Sequence, residues 1–103
     1  MERNLRKNES VWKLFEAIAS LRDVDECARF LRDLCTVYEL NAMAERWQVA
    51  QRLADGIPYR KISEETGAST TTVTRIAHWL KYGEGGYRMM LDRMKNRKGA
   101  RPR

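Results

Sequence analysis

A chain of 103 residues, 43% hydrophobic and 33% charged, has the length of one domain and too much apolar content to remain unfolded. No apolar run approaches a membrane span, the opening MERNLRKNES lacks the hydrophobic segment of a secretory leader, and Cys27 and Cys35 form no Cys-x-x-Cys pair, so a protein with no membrane partner, no disulfide framework and no zinc site is expected in the cytoplasm. The net charge of +6 is entirely local: residues 1–92 balance 14 Lys and Arg against 14 Asp and Glu, and Arg93 to Arg103 adds six bases and no acid.

The first periodic stretch runs from about Glu9 to Leu21. Val11, Leu14, Phe15, Ile18 and Leu21 or Arg22 mark one helical stripe, while Trp12 and Ala19 widen it beyond what one partner helix covers, so burial on two sides is expected with Trp12 in a core. Asn8 or Ser10 can cap its start. Asp23 opens a second helix in which Val24, Cys27, Ala28, Leu31, Leu34 and Cys35 keep the repeat, which predicts two buried thiols. Thr36-x-x-Glu39 then has the form of a capping box, the threonine hydroxyl taking the N–H three residues on and the glutamate reaching back. The helix it starts carries Leu40, Met43, Ala44, Trp47, Ala50 and Leu53 or Ala54 on its apolar face. It continues for about 18 residues to Gly56, the longest element and the expected scaffold.

Gly56 to Tyr82 has a different character: two short helices around a tight turn. Pro58 suits a helix start and opens the run Tyr59 to Thr66. Gly67 stops that run, because glycine takes the left-handed conformation without a Cβ clash and lets the chain reverse. Ser69 or Thr70 caps the second helix, where Val73, Ile76, Ala77 and Leu80 form the apolar face and Thr71, Thr74, Arg75 and His78 the opposite one. With small Ser63 and Ile62 before the glycine and Val73 and Ile76 after it, this is the pattern of a helix-turn-helix, whose second helix reads base edges in the DNA major groove.

The cluster Gly83 to Gly86 ends that helix, and a last one from Tyr87 to about Lys95 presents Tyr87, Met90, Leu91 and Met94. An all-α domain of six helices over residues 1–95 results, with the helix-turn-helix at 58–82 and a basic tail, 96–103, expected to be disordered. Its apolar faces exceed what one subunit can hide, so a homodimer is expected. A two-fold protein also sets two recognition helices in successive major grooves.

Double-stranded DNA is the expected partner. Ser69, Thr70, Thr71, Thr74 and Arg75 are the candidates for base reading: threonine donates or accepts a hydrogen bond and sets its methyl against that of thymine, and arginine grips guanine bidentately. Small hydroxyl residues give few strong direct contacts, which favours water-bridged reading and dependence on DNA shape. Lys81 and the tail suit phosphates, as do Tyr59, Arg60 and Lys61 at a helix N-terminus. Related modules serve RNA, protein partners or nonspecific DNA, and a near-neutral body with a basic tail suits these too. The one histidine, His78, has no Ser-His-Asp order, Walker loop or metal constellation around it, so neither an enzyme nor a cofactor is expected.

Thr36-x-x-Glu39, Glu45-Arg46, Ala54-Asp55-Gly56 and Thr72-Val73-Thr74-Arg75 resemble the Trp repressor family over Thr36 to Lys81, and the whole chain resembles its YerC/YecD-type branch. The resemblance implies an intertwined all-helical dimer that regulates transcription, by analogy as a repressor. In the tryptophan-binding members two arginines and two threonines hold the ligand, and Thr36, Arg46, Thr72 and Arg75 stand at the matching positions. The glycine and serine of that pocket are replaced by Ile76 and Trp79, whose bulk is expected to fill the space and leave free tryptophan without a site; Trp79 is the expected internal substitute for the ligand. The plain alternative for Arg46 and Arg75 is surface pairing with Glu39, Glu45 or Glu64.

Overall fold

The computed structural model describes residues 3–100, with side chains over residues 5–97. All secondary structure among the described residues is helical: α1 Arg3–Lys7, α2 Glu9–Ala19, α3 Val24–Leu34, α4 Val37–Ala54, α5 Tyr59–Thr66, α6 Thr70–Tyr82 and α7 Gly86–Ala100. The element beyond the six expected is α1, whose RNLRK has no apolar repeat to announce it. None of the described helices is long and apolar enough to cross a membrane. The chain divides into two compact units, Met1–Leu40 and Asn41–Arg103, with the boundary inside α4.

In the first unit side-chain caps set the starts of α2, α3 and α4. Asn8 takes extended backbone and accepts the Val11 N–H at 3.1 Å, which separates α1 from α2 and settles the choice of cap against Ser10. Asp23 accepts the Glu26 N–H at 2.9 Å, and the Glu26 carboxylate returns to the Arg22 N–H at 2.9 Å. At the start of α4 the box closes as expected: Glu39 N–H donates to the Thr36 hydroxyl at 3.0 Å and Thr36 N–H to the Glu39 carboxylate at 2.8 Å.

That bond leaves a signature. The Thr36 N–H and then the Thr36 hydroxyl hold the Glu39 carboxyl below its ordinary value. Because the folded value is the lower one, the stabilisation is complete above the ordinary carboxylate range and is lost as pH falls through the lowered folded value. An NMR titration is expected to give Glu39 a midpoint below that of a glutamate in an unfolded peptide. Thr36→Ala is expected to bring it back towards that value, and Glu39→Gln to shallow the acid limb of the melting curve.

Among its described residues, this unit lacks a core. Neither α2 nor α3 has one fully buried residue. Trp12, expected inside, is 41% exposed and meets Phe15 edge-on at 5.8 Å. Ile18, Val24 and Leu34 are also exposed, and Cys27 and Cys35 are free, partly exposed thiols instead of buried ones. Periodicity located the two helices but says nothing about what covers their apolar stripes.

The second unit holds the core. Val49 and Ala50 of α4, Ile62 of α5, Ala68 of the turn and Val73 and Ile76 of α6 are buried together. Trp47, Leu53, Ile57 and Tyr87 pack around them, Trp47 and Tyr87 with stacked rings 6.4 Å apart. On α4 the expected stripe is displaced: Met43 and Ala44 are exposed and Val49, outside the expected stripe, is fully buried. The α5 and α6 helices converge on α4 near its C-terminal end, so the buried face there follows their approach and not the continuous line through Leu40. An Arg52–Glu65 ion pair at 3.2 Å ties α4 to α5. Helix α7 runs to Ala100, past its expected end near Lys95, because Met94, Lys95 and Arg97 are good helix formers. Of the tail expected to be disordered, residues 96–100 therefore continue the helix, and 101–103 lie outside the described residues.

Candidate nucleic-acid interface

The interface is built on a turn that two side-chain hydroxyls lock. Gly67 ends α5 at φ +82°, and its N–H donates to the Ser63 carbonyl at 3.0 Å. Ser63 Oγ donates to the Ala68 carbonyl at 2.6 Å, Thr66 Oγ1 donates to the Ile62 carbonyl at 2.7 Å, and the same Thr66 oxygen accepts the Ala68 N–H at 3.2 Å. Ala68 is thereby pressed into the core at 3% exposure. Sequence reasoning valued Ser63 for its small size and missed Thr66 and Ala68. Two hydroxyls within four residues before the turn glycine were the available signal.

A Cβ on Gly67 would meet nothing within 4 Å, so the cost of alanine there is confined to the left-handed backbone. Gly67→Ala is expected to cost about 1–2 kcal/mol by denaturant titration. At Gly83 the reverse holds. Its φ of −79° is open to any residue, yet a Cβ would collide with the Trp79 carbonyl oxygen that its own N–H engages.

Ser69 caps α6, accepting the Thr72 N–H at 3.0 Å and donating to Thr72 Oγ1 at 3.0 Å. Both hydroxyls thus serve the fold, and Ser69 is the candidate least free to read a base. With Val73 and Ile76 anchored in the core, the opposite face of α6 points outward. Thr70, Thr71, Thr74, Arg75 and His78 line one open groove of about 500 Å³. The four expected base readers other than Ser69 are therefore brought together, and His78 joins them. Tyr59, Arg60 and Lys61 are exposed on the first turn of α5 and do not line this groove, and Lys81 is exposed in the last turn of α6. No acidic residue lies between Thr70 and Tyr82, so nothing on the helix itself repels phosphate.

The positions matched to the family's ligand pocket are divided between the two units. Thr36 belongs to the first unit, with its hydroxyl engaged by the Glu39 N–H. In the second, Arg46 is exposed, Thr72 is half-buried and Ile76 is in the core at 1% exposure. Trp79 does not fill the interior as expected: it is 51% exposed, edge-on to His78 at 5.7 Å, and lines a separate hollow with Trp47, Tyr87 and Met90. Ile76 alone supplies the internal bulk. Among the described residues neither Arg46 nor Arg75 is ion-paired with Glu39, Glu45 or Glu64, so both guanidinium groups remain available.

A locked turn between two helices, a core behind the second and an open hydroxyl-and-arginine groove in front define a helix-turn-helix reading head on an all-helical scaffold. Residues 9–95 match the family model described as Trp repressor protein. The chain is 49% identical over 83 residues to the uncharacterized protein YerC of Bacillus subtilis strain 168, covering 81% of this chain and 80% of that one. Its structure resembles a TrpR-like protein from Eubacterium eligens, with a TM-score of 0.80, 40% identity and coverage of 98% and 100%. A Staphylococcus aureus chain proposed to be a Trp repressor aligns with a TM-score of 0.84, 39% identity and coverage of 92% and 95%. The chain belongs to the Trp repressor family, a family of DNA-binding regulators and not of enzymes.

Proposed function

We propose that this protein is a sequence-specific transcriptional regulator that acts in the cytoplasm as a homodimer, repressing by occupying an operator on double-stranded DNA. The observation that carries this reading is the open groove shared by Thr70, Thr71, Thr74 and Arg75 on a helix whose other face is pinned by Val73 and Ile76. Base reading needs a rigid presentation of such groups, and the bonded turn supplies it.

The dimer is supported by the first unit. Trp12, Phe15, Ile18, Val24 and Leu34 leave apolar stripes uncovered on α2 and α3, and a second copy is the simplest cover. Free tryptophan is not the corepressor. Ile76 occupies the core where the tryptophan-binding members have glycine, and displacing it would cost about 1–3 kcal/mol through overpacking. Tyr59, Arg60, Lys61 and Lys81 take phosphates, which adds affinity without choosing sequence.

Selection of bound duplexes from a random pool, with and without a metabolite mixture, tests the proposal. A palindromic site bound by a species of twice the 12.1 kDa chain mass is the expected outcome. Recovery of unrelated duplexes, or a preference for RNA, would overturn it. Tryptophan added at selection is expected to leave the recovered site and its affinity unchanged.

A further inference from the structure

We infer that the DNA-contacting face of α6 does not end at Arg75 but continues through His78 to Tyr82, whose imidazole N–H and phenol O–H grip the phosphate backbone at the groove wall; this rests on the DNA reading above. Thr74, His78 and Tyr82 are four residues apart and so stand one above another on one side of the helix. His78 lines the same open groove as Thr70, Thr71, Thr74 and Arg75. Its ring is held from two directions, by Tyr82 at 5.1 Å and 50° and by Trp79 at 5.7 Å and 75°.

Helical rise decides what these donors meet. Tyr82 lies about 12 Å along α6 from Thr74 at roughly 1.5 Å per residue. The major groove is itself only about 12 Å wide. If the first turn of α6 is at the base edges, a side chain that far along the axis is at the level of the sugar–phosphate wall. Tyr82 is 70% exposed and Trp79 51%, large aromatic surfaces that the packing of this unit leaves unused. An anionic wall is the surface that the two polar ring groups suit, since the helix carries no carboxylate to compete.

Fluorescence anisotropy of the full-length protein, on the duplex the wild type selects and on a scrambled duplex of equal length, tests this. His78→Ala and Tyr82→Phe are each expected to weaken both duplexes by a similar factor, about five- to tenfold, at an unchanged melting temperature. Base preference should stay as in the wild type. His78→Gln, which keeps an N–H donor, is expected to recover most of the loss. Thr74→Ala serves as contrast and is expected to change base preference instead. The clamp is overturned by binding within about twofold of wild type on both duplexes, or by a loss confined to the selected duplex. Tyr82→Phe removes a single oxygen and keeps the ring, so it decides the matter even if His78→Ala unfolds. A wild type that retains no duplex removes the DNA reading and the clamp together; a wild type that binds while its variants match it removes the clamp alone.

Discussion

Ile76→Ala is expected to lower the unfolding free energy by about 2–5 kcal/mol, a large single-residue effect on the stability of the reading head. The side chain is 1% exposed and packs in a core with only five other buried residues: Val49, Ala50, Ile62, Ala68 and Val73. A small core has little freedom to collapse around a lost side chain, so most of the cavity persists and its cost adds to the lost transfer free energy. Against a total stability of about 5–15 kcal/mol, this leaves a substantial unfolded population. Urea titration at fixed protein concentration measures it, as a fall in midpoint with little change in slope. Ile76→Val, which removes one methylene, is expected to cost only about 0.5–1.5 kcal/mol. Equal and small losses for both variants would show that Ile76 is not seated as described.

Arg75→Ala carries the largest expected effect on binding. The guanidinium is exposed, lines the groove beside Thr71 and Thr74, and is ion-paired with none of the carboxylates expected to compete for it. Its five donors are therefore free to meet a guanine edge as a bidentate pair. On the proposed reading, alanine removes about 1–3 kcal/mol per half-site, roughly five- to 150-fold, and the loss compounds over the two heads of a dimer. The selected site should lose its guanine preference at one symmetric position. Arg75→Lys should not restore it, since a point charge cannot reproduce the planar fork. Stability should be untouched, because the side chain takes no part in the core. An equal loss on scrambled DNA would reassign Arg75 to the phosphates, and no loss on either duplex would remove it from the interface.

The two residues illustrate how the candidate site came to be legible. Ile76 and Arg75 are neighbours in sequence, and helical periodicity alone separates them into an inner and an outer face. Gly67 was equally legible, because a left-handed helix end is a property of one residue. Trp79 was not. It lies within one turn of Ile76 and Leu80, yet nothing in the 3.6-residue repeat tells whether an aromatic at the margin of an apolar stripe turns inward or, as here, rests against His78. The same limit applies to Trp12, to the two cysteines and to the choice of Val49 over Met43 on α4.

The sequence by itself therefore determined the all-helical class, the caps at Asp23 and Thr36, the turn at Gly67 and the outward face of Thr71, Thr74 and Arg75. Each of these depends on residues within four positions of one another, where backbone geometry and side-chain hydrogen bonds act without distant help. Only the tertiary structure decided which apolar residues are buried, that Ser63 and Thr66 clamp the turn through Ala68, and that α2 and α3 keep their stripes uncovered. Burial depends on which elements approach a face and from where, and that information is spread over the chain instead of being written in any one stretch of it.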